Sequence, residues 1–398
     1  MPRRALVLGG IADVLIPARR LGIETTYFQR EEGLTPHLRE LADECRTVSF
    51  DDHEAVVAAA VDLHEKNAFD CVVSFSELAM IPAAMIAERL GLPGSSSVAT
   101  ARMLRDKHEM RDHLNSAGLS PVRSSLIESA GQAAAFAAAA GFPVIVKPRS
   151  GTGSLGVRRV ESPDDLPGAV RDALADRSDG YLIEEFLDGP EFSVEAFSFQ
   201  GIHRVIAVTG KQVTAGHVES GHVVPARVTA QEHAAITGLV SRFLDLVGVT
   251  DGPSHSEVIV SDGTPRIVES HDRLGGDKIF RLVELAYRVN LLSWCYEWPL
   301  GMMTVPVPVQ LAGAGCIRYL LPTPGHVKHI GIPGSVRRDP QLDHYELEVS
   351  EGDLVKPLSC SLDRAGFVVA SGAEARSAIE AAERLAQGIT IDTTPIAG

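Results

Sequence analysis

Short apolar runs alternate with helical patterns over the first hundred residues of the chain. Ala5-Leu-Val-Leu8 runs into Gly9-Gly10 and then a helix reaching about Leu21; Cys71-Val-Val-Ser-Phe75 precedes a second helix from Glu77 to Leu90. Strand and helix in alternation predict a doubly wound parallel sheet. Gly9-Gly10 lacks the full dinucleotide fingerprint and reads as a tight turn rather than a cofactor loop. The polar, turn-forming stretch Gly91-Leu-Pro-Gly-Ser-Ser-Ser97 is the best domain boundary. Beyond it the pattern predicts a charged helix (Ala101 to Ala117) and an alanine-rich helix around Gln132 to Ala140. Strands are expected at Val144–Lys147, Val157–Val160, Tyr181–Glu185, Phe192–Phe199 and Ile202–Val208, and a long helix from Thr229 to Val247. After Leu300 prolines and glycines accumulate, and an α+β tail from Cys316 ends in a helix over Ala373–Gln387. No internal repeat is visible.

One stretch combines this patterning with chemistry. Glu257 and Glu269 flank two apolar runs, Val258–Val260 and Arg266–Val268, joined by Ser-Asp-Gly-Thr, a hairpin signal. Folding the hairpin brings its ends together, so the two glutamates can share one site. Facing carboxylates repel unless a cation lies between them, and Mg²⁺ takes such oxygen ligands together with substrate phosphates. Arg273 follows in Ser270-His271-Asp272-Arg273-Leu274-Gly275-Gly276-Asp277, adding a guanidinium suited to phosphoryl charge. Taken alone, the segment is equally a surface hairpin with solvated acids.

With 398 residues there is room for two or three domains. A net charge of −15 disfavours nucleic acid and anionic membranes as partners. Five scattered cysteines (Cys45, Cys71, Cys295, Cys316, Cys360) form no CxxC pair, which predicts reduced thiols and a cytoplasmic protein. No apolar run reaches the roughly 18 residues a membrane span needs.

Further chemistry lies upstream of the hairpin. Pro-Val-Ile-Val-Lys147-Pro-Arg149 leads into Ser150-Gly-Thr-Gly-Ser154-Leu-Gly156, a lysine followed by a glycine-rich loop whose N–H groups can approach phosphate. It is not a Walker A loop, and a plain hairpin turn fits it as well. Tyr181-Leu-Ile-Glu184-Glu185-Phe186-Leu187 turns at Asp-Gly-Pro and resumes at Glu191, a linker on which adenine could lie, or a strand edge with exposed acids. Lys107 by itself reads as a helix-surface lysine. The order Lys107, Lys147 with its glycine loop, Glu184-Glu-Phe-Leu, Glu191, Glu257, Glu269, Arg273 resembles the ATP-grasp superfamily over about Ala101 to Leu300. The resemblance implies an α/β and α+β protein in three parts. These are an N-terminal doubly wound parallel-sheet domain (1–100), a two-lobed ATP-grasp domain (101–300; small lobe about 120–190, larger lobe about 191–300) and a small C-terminal α+β domain (301–398). It implies that Lys107, Lys147 and Ser154 contact ATP phosphates, that Glu184, Glu185 and Leu187 hold adenine, and that Glu191 holds ribose. Glu257 and Glu269 would carry Mg²⁺, with Mn²⁺ as the alternative, and Arg273 would steady an acyl phosphate beside Lys147. One position departs from the family: the usual asparagine of Glu-x-Asn-x-Arg is His271, and neutral imidazole is a poor ligand for hard Mg²⁺.

Between the expected lobes runs Lys211-Gln-Val-Thr-Ala-Gly-His217-Val-Glu219-Ser-Gly-His222-Val-Val-Pro225, read as an irregular loop. Its Glu-x-x-His-x-x-Pro pattern is similar to the L-amino acid ligases of dipeptide antibiotic pathways. By that resemblance Glu219 holds a substrate ammonium group and His222 lines the same pocket. The implied activity is ATP-dependent amide formation between a carboxylate and an amine, with a homodimer as the candidate assembly. The alternatives are another ATP-grasp enzyme, a carboxylase or a purine-pathway ligase, and a non-catalytic nucleotide-binding protein. Eroded metal ligands would mark the last, and both glutamates are present.

Overall fold

The computed structural model describes the whole chain except residues 1, 152, 154, 177–178, 215–217 and 396–398. The expected parallel sheet is present, in the order Glu44–Thr47, Glu24–Gln29, Arg4–Leu8, Cys71–Ser74. The chain therefore leaves Arg4–Leu8 toward one neighbour and later returns on the other side. Such a reversal opens a crevice at the carboxyl ends of the two strands. Gly9 and Ser76 lie at that crevice. Gly9 has φ +67, and a Cβ on it would meet the Ser76 Cβ at 2.4 Å, so the glycine is there for close approach.

A second sheet is antiparallel, ordered Ser124–Leu126, Tyr181–Glu185, Val144–Pro148, Arg158–Val160, and backed by the helices Ala130–Ala140 and Leu166–Ala175. The third and largest has eight strands in antiparallel succession. Thr264–His271 and Gly252–Ser261 lead to Glu191–Phe199, Ile202–Val213 and Glu219–Val224, then to Ala314–Tyr319, Gly366–Gly372 and Leu342–Leu347. This sheet is continuous across residue 300, because Glu219–Val224 pairs directly with Ala314–Tyr319. One apolar core also joins the parallel sheet to the large one: Val7 and Val73 belong to the same cluster as Phe197, Leu282, Val283 and Val369.

Two local readings differ from the structure. The charged helix expected over Ala101–Ala117 is two helices, Val98–Arg105 and Lys107–Ser116. Asp106 divides them, its side chain accepting from the N–H groups of His108 and Glu109 and so capping the second helix. The break turns Lys107 inward, where it is buried. The stretch expected as an irregular loop is mostly the hairpin of Ile202–Val213 with Glu219–Val224, in which Lys211 faces His222 across the ladder. Alternating inward and outward positions in these strands fix which side chains reach the cleft.

Candidate active site

The Glu257–Glu269 hairpin forms as expected, the two residues directly opposite each other, with the turn at Asp262 and Gly263, both at positive φ. A bulge follows between Glu257 and Val258. Each carboxylate has a lysine against it: Lys107 Nζ lies 3.0 Å from Glu269 and Lys211 Nζ 2.9 Å from Glu257. Burial pushes the Glu257 carboxyl up, but the Lys211 ammonium outweighs it and holds the group down at about 2. Burial likewise opposes ionisation of Glu269, and Lys107 with His271 brings it well below the ordinary range. Two ionised oxygen donors side by side fit a divalent cation, the lysine ammonium groups being the counter-charges in its place.

Lys211 is the centre of the site. Its side chain is only 5% exposed, bonded to Glu191 and Glu257 and 3.5 Å from Glu219. Burial acts against its charge, yet the three surrounding carboxylates raise its pKa well above the ordinary lysine value. One cation does not neutralise three anions: desolvation of the partly buried Glu191 carboxyl, and then the charges of Glu257 and Glu219, push it up against the pull of Lys211. Neither composition nor spacing singles out Lys211; the one signal is a lysine near the end of a strand that continues into a hairpin.

On the small-lobe side Lys147 Nζ lies 2.6 Å from Glu184, both buried. Arg111, 1% exposed, stands 3.5 Å from the other Glu184 oxygen and donates to the carbonyls of Ser120 and Ile267. Burial disfavours the Glu184 anion, but Lys147 and Arg111 keep it ionised. This end of the cleft thus has two cations to one anion. Nothing in the sequence singles out Arg111; it stands four residues after Lys107 on the same helix face, as any helix-surface arginine could. Glu185 lies apart from these charges, accepting from the Arg123 backbone N–H and guanidinium. Leu187 follows on the connection to Glu191. Ser154 and His217 fall outside the described residues.

Arg273 donates to Glu77 at 3.0 Å and to the Leu274 carbonyl. Glu77, just past the strand Cys71–Ser74, also binds Arg105, so the crevice of the parallel sheet opens beside Arg273. His271 is buried, its Nε2 3.3 Å from Glu269 and its Nδ1 without a hydrogen-bond partner among the described residues. His255 bonds Glu195 at 2.7 Å; burial opposes its charge, but Glu195 raises its pKa to about 9. Gly275 is required against this pair, since a Cβ there would lie 2.7 Å from His255 Nδ1.

The strand Glu219–Val224 carries both remaining candidates. Glu219 accepts from the Ser361 hydroxyl at 2.8 Å, while His222 Nε2 is 2.9 Å from Asp277. Arg364 holds the same Asp277 in a two-pronged contact at 2.9 and 2.7 Å and lies 3.6 Å over the Tyr319 ring. A crevice of about 970 Å³ runs from Glu77 and Arg273 past Asp277 to Arg364. The structure therefore brings Lys107, Glu191, Glu219, Glu257, Glu269 and their lysine partners into one connected array, with Lys147 and Glu184 on the facing lobe.

Three family models match the chain: an ATP-grasp N-terminal domain over residues 16–94, an ATP-grasp domain over 140–280 and an L-amino acid ligase C-terminal domain 2 over 318–394. This is an ATP-grasp protein with an L-amino acid ligase C-terminal domain. Alanine–anticapsin ligase of Bacillus subtilis (strain 168) is 26% identical over 256 residues, 57% of this chain and 54% of that protein. The chain spans about half the length of the alanine–anticapsin ligases it matches. The crystal structure of an L-amino acid ligase from Bacillus licheniformis superposes with a TM-score of 0.85 at 22% identity, covering 99% of both chains. The biotin carboxylase domain of the Hydrogenobacter thermophilus 2-oxoglutarate carboxylase, solved with MgADP, superposes at 0.77 with 17% identity, covering 98% of this chain and 91% of that one. At these identities the two structures speak for the fold. Among the described residues no helix is long and apolar enough to cross a membrane, and the five cysteines are unpaired.

Proposed function

We propose that this ATP-grasp protein is a cytoplasmic ligase that joins the carboxylate of one amino acid to an amine in a peptide bond, consuming ATP and releasing ADP and phosphate. The observation that carries the reading is Lys211, whose ammonium draws the expected ribose acid (Glu191), metal acid (Glu257) and amine acid (Glu219) into one array. An amine held by Glu219 would then stand beside the phosphoryl-transfer centre, which is what coupling requires.

A carboxylate is a poor electrophile because it is already anionic and its leaving group is oxide. Taking the γ-phosphoryl group gives an acyl phosphate, and an amine can then displace phosphate. Lys107, Lys147 and Arg111 supply positive charge to the nucleotide end, and Arg273, fixed by Glu77, faces the crevice in which the acyl group would form. Glu257 and Glu269 would hold Mg²⁺, which neutralises charge on the transferring group. His271 donates to Glu269 and keeps that carboxylate in place. Glu219 takes the substrate ammonium, and water has to be kept from the acyl phosphate, which it would hydrolyse. Glu185, held by Arg123, supports the adenine linker through its backbone.

The test is ADP release across a matrix of amino-acid pairs, with mass spectrometry of the products. Pair-dependent ADP release with a product one water lighter than the pair is expected. ADP release with a single carboxylate and no condensed product would replace this reading with that of a hydrolysing or carboxylating enzyme.

A further inference from the structure

Beside the two proposed metal acids runs a second row of side chains on the same face of the large sheet. Across the strands Glu191–Phe199, Gly252–Ser261 and Thr264–His271, Glu257 stands opposite Ser193 and Glu269, and His255 stands opposite Glu195 and His271. Residues two apart on a strand share a face, so each acid of the first row has an imidazole next to it in the second. His271 Nε2 lies 3.3 Å from Glu269, and His255 Nε2 lies 3.7 Å from Glu257. The two rings are nearly parallel, with 11° between their planes. The chemistry proposed above uses His271 and gives no part to His255 or Glu195.

Glu195 is the fixed point of this second row. It is 1% exposed and meets three groups: His255 Nδ1 at 2.7 Å, the Ser193 hydroxyl at 3.0 Å and the Gly275 backbone N–H at 3.3 Å. An ionised carboxylate only accepts, so it places a proton on His255 Nδ1 and fixes the ring with its Nε2 edge toward Glu257. Two segments of the site are thereby tied to one acid. His255 shares its strand with Glu257, two residues on, and Gly275 follows Arg273 by two residues. The loop closes tightly on the pair, since a Cβ at Gly275 would lie 2.7 Å from His255 Nδ1 and 2.9 Å from Glu195 Oε2. A buried charged group is a costly piece of scaffold, and well-packed apolar side chains would join strand and loop at least as well. What the carboxylate adds is direction, because its hydrogen bonds fix the orientation of the groups they reach.

We propose that Glu195 is a positioning residue: through His255 it sets the Glu257 carboxylate at the metal site, and through Gly275 it sets the loop that carries Arg273. This inference rests on the roles proposed above for Glu257 and Arg273. Metal affinity and turnover should therefore fall together when Glu195 is altered, while nucleotide binding without metal stays.

The experiment follows Mn²⁺ binding to the full chain in the presence of ADP by the electron paramagnetic resonance of the free and bound ion, beside steady-state kinetics. Glu195→Gln keeps an oxygen for His255 and loses the charge and the second acceptor. It should weaken Mn²⁺ binding and lower kcat at saturating Mg²⁺ each roughly ten- to a hundredfold, the usual effect of losing a partner that orients a metal ligand. It should also change the line shape of the bound ion and leave metal-free ADP affinity within about threefold. His255→Asn keeps a donor for Glu195 and removes the edge turned to Glu257, so it too should weaken Mn²⁺ at least fivefold; it carries the test if Glu195→Gln fails to fold. Glu257→Gln is the reference. If it weakens Mn²⁺ while folded Glu195→Gln or His255→Asn binds the ion within twofold of the parent protein, the positioning role is overturned and the metal site stands. If Glu257→Gln also binds as the parent does, the metal site itself falls and the inference with it. Loss of metal-free ADP binding in Glu195→Gln would make the residue a general support of the fold and overturn the proposal.

Discussion

The strand Glu219–Val224 joins two buried charge clusters that differ in one respect. Around Lys211 gather three carboxylates, Glu191, Glu219 and Glu257, so anions exceed cations. Around Asp277 gather Arg364 and His222, and the single anion is fully answered by hydrogen bonds at 2.7 to 2.9 Å. The first arrangement is stable only as long as its one lysine stays charged, and a further cation would relieve it. The second is complete and ties the C-terminal domain to the large sheet. An excess of buried charge of one sign costs folding energy unless a ligand answers it, whereas a balanced group can be scaffold. Unbalanced charge is therefore the better marker of a site, and the variants below test that distinction.

The largest effect is expected for Lys211→Met. Removing the cation leaves three carboxylates close together, and deleting one partner of a buried ion pair typically costs roughly 3–5 kcal/mol. Denaturant unfolding without divalent ions should show this loss, and added Mg²⁺ should recover part of it. A variant within about 1 kcal/mol of the parent protein would mean that the cluster is too well solvated to be unbalanced in any useful sense.

Next is Glu257→Gln, which relieves the same excess by taking away an anion. The fold should tolerate it, while substrate-dependent ADP release should fall roughly 10²–10³-fold, as when one preorganised charge contact to a transition state is lost. Near-normal turnover would remove Glu257 from the proposed metal site. Stability and activity thus separate: the lysine serves mainly the fold and the acid mainly the chemistry.

How much of this could be read in advance depends on the kind of signal. The Glu257–Glu269 hairpin was legible because a period-two pattern and an Asp-Gly turn fix register locally, and the register puts the acids opposite each other. The parallel sheet was legible by its strand–helix alternation. Lys107 was misplaced on a helix surface because one aspartate, Asp106, can end one helix and cap the next without leaving any apolar gap. The Glu219–Val224 strand was hidden in a run of glycine, histidine and serine, since its stability comes from neighbours on both sides rather than from its own composition. Lys211, Arg111 and Glu77 were invisible for a third reason: their partners lie far away in the chain, and only tertiary packing brings them together.

Glu219→Ala belongs to both clusters' shared strand and should have a smaller, selective effect. It removes an anion from the crowded side and the acceptor for Ser361. Loss of a charge-assisted hydrogen bond to a substrate ammonium should cost roughly 1.5–3 kcal/mol, about tenfold to more than a hundredfold in kcat/KM for the amine-bearing substrate. ATP binding by calorimetry should be unchanged. Wild-type product formation across all accepted pairs would reduce Glu219 to a lid contact, and lost ATP binding would move it into the nucleotide site.

The smallest effect is expected where charge is already balanced, at Asp277→Asn. Burial pushes the Asp277 carboxyl up, but the hydrogen bonds from His222 and Arg364 outweigh it and hold the group below the usual carboxylate range. A folded-state pKa below the unfolded one gives stability that is present above the unfolded value and is lost as pH falls toward the folded value. In the parent protein that contribution is complete at neutral pH and fades in acid below about pH 4, the ordinary aspartate range. Asparagine keeps one acceptor oxygen and replaces the other, together with the charge, by an NH₂ group that cannot accept, so the cost at pH 7 should be roughly 1–2 kcal/mol, about the difference between charged and neutral hydrogen bonds. The gap between variant and parent should then narrow as pH is lowered from about 5 toward about 3, since protonation removes the same charge from the parent. Melting curves of both proteins across that range measure it. A gap that stays constant with pH would mean that Asp277 acts through shape alone, and that the balanced cluster owes its stability to packing on Tyr319 rather than to its charges.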